Sequence, residues 1–151
     1  MSKFEPINDP VLGLLEWNAE SSQWKTQLQL PTGALFECSI HPDDHRIPLQ
    51  LQGLEQIRST IQWLRNNEPE LRGRIAAAMF DWWLEGWYDE EIDTVTSKQE
   101  FAETISLAAV DVYEDLKHHV HYDDGDMIGG HGIILTIDSN GTITDGPNIW
   151  G

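Results

Sequence analysis

The stretch Trp24-Lys25-Thr26-Gln27-Leu28-Gln29-Leu30-Pro31-Thr32-Gly33-Ala34-Leu35-Phe36-Glu37-Cys38-Ser39-Ile40 decides the fold class. Trp24, Thr26, Leu28 and Leu30 alternate with Lys25, Gln27 and Gln29, and Phe36, Cys38 and Ile40 alternate with Leu35, Glu37 and Ser39. A period of two residues sends successive side chains to opposite faces, so each half is a strand with one buried face. Pro31-Thr32-Gly33 supplies the turn between them. Upstream, Val11 to Trp17 has the same strand-forming composition, and Asn18 to Ser22 carries turn residues. The three runs predict an antiparallel meander.

Downstream of this meander the period changes. His41 to Leu51 is polar and contains prolines, which marks a loop. Leu54, Ile57, Ile61 and Leu64 then recur at helical spacing and predict a helix over Gln52 to Asn66. Pro69 fits the first turn of a second helix, carrying Leu71, Ile75, Ala78, Met79, Trp82 and Trp83 as far as Trp87. Tyr88 to Thr96 is an acidic connection, and Ser97 with Glu100 forms a capping box for a short third helix through Phe101 and Ile105. Strand character returns at Val110 to Tyr113, Val120 to Tyr122, Ile133 to Ile137 and Thr142 to Thr144, with Ser139-Asn140-Gly141 as a hairpin signal. The expected architecture is α+β. An antiparallel sheet, built from the N-terminal three-stranded meander and the C-terminal strands, carries two to three helices on one face, all within a single acidic domain over residues 1–151.

Composition narrows the function classes. Seven tryptophans and 40% apolar residues rule out a chain too poor in core material to fold. No apolar run of about 18 residues occurs, and Met1 to Pro10 lacks the basic and apolar regions of a signal peptide, so a cytoplasmic location without membrane contact is expected. The lone Cys38 between Phe36 and Ile40 suits a small buried hydrophobe in a reducing compartment. The net charge is −17, and it is lopsided: residues 1–74 hold 10 acids and 7 bases, whereas residues 75–151 hold 16 acids and 2 bases. Such a field repels nucleic-acid phosphates and steers basic proteins inward, although acidity also serves plain solubility.

Three segments invite chemical readings. His118, His119, His121, Asp123, Asp124, Asp126 and His131 fall within fourteen residues, and imidazole with carboxylate suits zinc, iron or manganese. Their spacing fits no closed zinc pattern or His-Glu-x-x-His helix, and a calcium loop starting at Asp124 would place Ile128 and Leu135 where oxygen donors are required. A solvated turn between strands is the simpler reading. Gly129-Gly130-His131-Gly132 precedes a strand, not the helix that a phosphate loop needs. No serine lies in a nucleophile elbow and Cys38 has no cationic neighbour in sequence, so no nucleophile and no cofactor are assigned. Asp81-Trp82-Trp83-Leu84-Glu85-Gly86-Trp87-Tyr88-Asp89-Glu90-Glu91 mixes indoles with acids; on a helix Trp82 and Trp83 diverge by about 100°, so they cannot all face one core.

Val112-Tyr113-Glu114-Asp115, Tyr122-Asp123-Asp124-Gly125-Asp126-Met127, Gly130-His131-Gly132-Ile133-Ile134 and the ending Ile149-Trp150-Gly151 resemble the C-terminal signature of an uncharacterised bacterial family, domain of unknown function 2262. Leu12-Gly13-Leu14-Leu15 through Trp24 fits that family's start, so the resemblance spans nearly the whole chain. It implies an α+β cytosolic protein without an assigned reaction. By analogy with small acidic proteins encoded beside secreted toxins, it implies an immunity role. The leading expectation is therefore a binding protein that occludes a basic toxin through Glu85, Trp87, Tyr88, Asp89, Glu90, Glu91 and Asp93. The alternatives are a metal-binding protein or metal-dependent enzyme using His119, His121, Asp123, Asp126 and His131, and a homodimeric structural or interaction protein.

Overall fold

The computed structural model describes residues 5–41, 51–113 and 116–150. The chain runs β1 (Ile7–Asp9), β2 (Gly13–Asn18), β3 (Gln23–Gln29), β4 (Leu35–Ile40), α1 (Leu51–Gly86), α2 (Lys98–Thr104), β5 (Ser106–Val112), β6 (His118–Asp123), β7 (Gly132–Ile137) and β8 (Ile143–Trp150). The strands form one eight-stranded sheet in sequence order. Of the expected loop from His41 to Leu51, residues 42–50 lie outside the described residues.

The expected α+β fold and N-terminal meander are present. β1 through β4 pair antiparallel, as do β5 through β8. The two meanders meet where β4 and β5 pair in parallel, with Cys38 opposite Val110 and Ile40 opposite Val112. Parallel neighbours cannot be joined by a tight turn, so a long crossover is required, and α1 and α2 supply it. The sheet is thus mixed, which strand composition alone does not reveal. Two further differences sit at the edges. β1 was not anticipated, and β8 extends to Trp150 past Gly146-Pro147, as an edge position allows.

The two expected helices over 52–66 and 69–87 are one helix of 36 residues with Pro69 inside it. The reason is packing. The buried positions Leu54, Ile57, Ile61, Leu64, Glu68, Leu71, Ile75, Met79 and Trp83 keep steps of three and four straight through the proline. Burying a stripe that stays in phase outweighs the loss of one backbone hydrogen bond at Pro69, which stands on the exposed flank. Glu68, buried at the one polar step of the stripe, is paired with Arg72 at 2.8 Å, and Arg72 Nη1 donates to the Ala102 carbonyl, tying α1 to α2. Ser97 caps α2 as expected, accepting the Glu100 N–H at 3.1 Å, while the Glu100 carboxylate reaches back to the Thr96 hydroxyl at 2.7 Å and not to the Ser97 N–H of a full capping box.

Register assigns the faces. Trp24, Leu28, Phe36, Cys38, Ile40, Val110, Val112, Val120, Tyr122, Ile133 and Leu135 pair across neighbouring strands and are buried with the helix stripe. His118 lies on this core face, fully buried, with Nδ1 at 3.0 Å from the Leu116 carbonyl and Nε2 without a partner. Burial lowers its pKa to about 4. The opposite face carries Ser39, Asp111, His119 and Thr136 in one cross-strand row, and Glu37, Ala109, His121 and Ile134 in the next.

At the sheet's far end the β7–β8 turn is clamped onto α1. Asp138 Oδ1 accepts the N–H groups of Asn140 and Thr142, Arg74 donates to the Gly141 carbonyl, and Arg74 stacks over Trp63 at 5.9 Å. Gly141 has φ +77°, and a Cβ there would lie 2.1 Å from the Trp63 ring. At the other end Asp9 caps the β1–β2 turn by accepting from Val11 and Leu12 and is paired with Arg58 of α1. Burial pushes the Asp9 carboxyl upward, but the Arg58 and backbone donors prevail and hold it below the usual carboxylate range.

Two outcomes are expected. Gly141→Ala, combining left-handed strain with overlap on an indole, should lower the unfolding free energy in a urea titration by roughly 2 kcal/mol or more, and Trp63→Leu in the same chain should recover part of that loss. Because His118 is neutral in the fold down to about pH 4 whereas an unfolded histidine protonates near 6.5, the unfolded chain binds the extra proton between these values. Stability should therefore be complete above pH 6.5 and fall by roughly 3 kcal/mol as pH drops to about 4, a slope that His118→Gln should flatten when melting is followed against pH.

Candidate functional site

The C-terminal end of α1 is built around one buried indole. Trp83 is fully buried, its Nε1–H donates to the Met127 carbonyl at 2.9 Å, and its ring meets Phe80, Tyr88 and Phe101 edge-on or tilted. With Trp83 turned inward, helical geometry turns Trp82 outward, and the Trp82 ring stands 6.3 Å from that of Trp87. Trp82 is 43% exposed and Trp87 38% exposed. The helix then gives way to an acidic turn. Asp89 Oδ1 accepts the Glu91 N–H, Asp93 Oδ2 accepts the Asp89 N–H, and Ile92 projects into solvent.

Against this end lies the turn between β6 and β7. Asp124 is buried and organises it by accepting three backbone N–H groups, from Asp126, Ile128 and Gly130. Asp123 Oδ1 takes the Gly125 N–H. Gly125, Asp126, Gly129 and Gly130 adopt positive φ, which accounts for the glycines without a phosphate. Trp87 rests on this turn: its ring would touch a Cβ on Gly129 at 3.4 Å, and its centroid is 5.9 Å from that of His131. Two acid-rich segments that are distant in sequence, 85–93 and 123–131, therefore form one continuous pole around exposed indoles.

Each expected contact residue belongs to that pole. Glu85, Trp87, Asp89, Glu90 and Glu91 are exposed, and Tyr88 and Asp93 are half-buried. The histidine–aspartate set considered for a metal is divided between two places. Asp123, Asp126 and His131 belong to the turn beside Trp87, while His119 and His121 lie on the helix-free face of the sheet. Among the described residues no group of three or more His, Cys, Asp or Glu is arranged to hold a metal ion.

On that sheet face the structure assembles a cluster the sequence did not disclose. Asp111 on β5 lies between two imidazoles, with Oδ1 at 3.1 Å from His41 Nε2 and Oδ2 at 2.9 Å from His121 Nε2. The His41 ring stacks on Tyr113 at 4.5 Å, Tyr113 meets His119 edge-on, and His121 meets Trp150 edge-on. The His121 hydrogen bond, opposed by burial and aided by His41, holds the Asp111 carboxyl below its usual range. Facing a carboxylate, each ring donates its Nε2–H, so Asp111 fixes the orientation of both imidazoles. The neighbouring Cys38 is fully buried, and burial followed by the Asp111 charge pushes its thiol up to about 12, so it serves as core. His41 and Asp111 were missed because their proximity comes from the parallel β4/β5 pairing. The local signal was the alternation Val110-Asp111-Val112, which sets Asp111 opposite the core.

These features define an α+β protein with one mixed sheet, a helical layer on one face and an acidic aromatic pole. The chain belongs to the bacterial family described as "Uncharacterized protein conserved in bacteria (DUF2262)", whose model matches residues 9–147. No curated protein and no solved structure matches it. No helix among the described residues is long and apolar enough to cross a membrane.

The cluster makes a spectroscopic prediction. In nitrogen-detected NMR, His41 and His121 should both carry a proton on Nε2, and Asp111→Ala, which removes both acceptor oxygens, should release that preference in both rings. Unchanged tautomers in the variant would mean that Asp111 does not orient them.

Proposed function

We propose that the protein is a cytoplasmic binding module of the immunity type, which neutralises a basic bacterial effector by covering it with the acidic aromatic pole. The observation that carries this reading is the seating of Trp87 on Gly129 and His131, which merges the two acidic segments around exposed indoles. Large aromatic anchors with a charged rim are what protein interfaces use: the rings exclude water at the centre and the rim steers encounter. The sequence supports the same polarity, since residues 75–151 contain only Lys98 and Lys117 as bases. Buried Cys38, the only cysteine, suits a reducing compartment.

The test is association with the toxin domain of an effector encoded next to the gene, followed by stopped-flow at several salt concentrations. Association should slow as ionic strength rises, and Glu90→Lys with Glu91→Lys should slow it by about tenfold at low salt. Trp87→Ala should instead accelerate dissociation. Association indifferent to salt and to charge reversal would remove the steering mechanism, and a concentration-dependent mass for the chain alone would favour the homodimer instead.

A further inference from the structure

Beside the pole, α1 and the edge strand β8 leave a groove of about 400 Å³ lined by Ala78, Met79, Trp82, Pro147, Asn148 and Ile149. We propose that this groove is the anchor site for an arginine side chain of the cationic partner; the inference rests on the binding reading above and names what that partner must present. Its lining is mixed, and the apolar part supplied by Met79, Pro147 and Ile149 suits the methylene stem of a long basic side chain. Its wall is the half-exposed Trp82 ring, whose π face attracts a cation. Its rim is acidic. Asp81 and Glu85 are exposed and stand three residues from Ala78 and Trp82 respectively, along the same flank of α1, where a planar guanidinium is held by charge-assisted hydrogen bonds.

Arginine is favoured over lysine because its guanidinium is weakly hydrated and stacks on indole while still forking toward carboxylates. The protein already uses this pairing internally, where Arg74 lies over Trp63 at 5.9 Å. Two other occupants fit less well. A second copy would bring another chain of net charge −17 to the same pole. An added strand on β8 would meet Pro147, which has no N–H to donate, on a strand whose pairing with β7 is already irregular there.

The experiment uses two end-capped octapeptides of equal charge, one alternating glycine with arginine and one alternating glycine with lysine. Each is titrated at low salt into the full-length protein labelled with nitrogen-15. The arginine peptide should bind several-fold more tightly and shift the Trp82 indole N–H together with the Ala78 and Ile149 amides. Trp82→Ala should remove that preference, lowering arginine-peptide affinity several-fold to the lysine-peptide level while leaving lysine-peptide affinity unchanged. Ala78→Leu, which narrows the groove at an exposed helical position without opposing the helix, should do the same. If both peptides bind equally and neither variant changes this, the groove is not an arginine site although the charged pole stands. Binding of neither peptide would overturn both readings. Shifts confined to β8 amides with either peptide would mean strand addition and would also overturn the arginine site.

Discussion

The parallel pairing of β4 with β5 is the constraint on which the molecule is arranged. Two antiparallel meanders, each able to form from local hairpins, become one sheet through the β4/β5 register that runs from Glu37–Ala109 to Ile40–Val112. Because parallel strands need a long return path, the pairing obliges the helices to cross one face of the sheet, and that face becomes the core. Everything assigned to the exterior follows. The face opposite the helices holds the Asp111 cluster, and the far end of the crossover helix delivers Trp82, Trp83 and Trp87 to the turn between β6 and β7.

Within that frame the polar groups taken out of water are mostly secured at junctions. Asp9 joins the first turn to α1, Glu68 and Arg72 join α1 to α2, and Asp124 holds the 124–130 turn on which Trp87 rests. A buried carboxylate with several donors is stable where an isolated one would be expelled, so each of these acids stiffens a connection. The exposed acids have another character. Glu85, Glu90 and Glu91 contribute field and not folding energy, since charges in water interact weakly at short range yet act together on an approaching cation. The concentration of acids in the second half therefore has two parts, a structural one inside the turns and an electrostatic one at the end of α1.

Much of the fold was legible in the sequence because most signals are local. Alternation in Trp24 to Leu30 and Leu35 to Ile40, the turn at Pro31-Thr32-Gly33, the N-cap at Ser97 and the hairpin at Asn140-Gly141 each depend on residues within one turn of one another. The break placed at Pro69 shows how such reading fails. Pro69 is a local signal against helix, but Leu64, Glu68 and Leu71 keep the stripe in phase across it, and packing against the sheet decided the outcome. The acidic aromatic segment was also legible, because its composition alone is unusual. Its union with the glycine-rich turn was not, since more than forty residues separate Trp87 from Gly129 and His131 in the chain.

By itself the sequence determined the α+β class, the meander, the capped helix, the burial of Cys38 and the polarity of charge, all of which depend on periodicity, turn chemistry or simple counting. Only the tertiary structure decided that the sheet is mixed, that α1 runs unbroken, that His41 and His121 share Asp111, and that Trp87 closes two acidic segments into one surface. The physical reason is the same in each case: strand order and helix docking are chosen by burial of apolar area among elements far apart in the chain, a driving force without direction that leaves no fixed spacing for a reader to find.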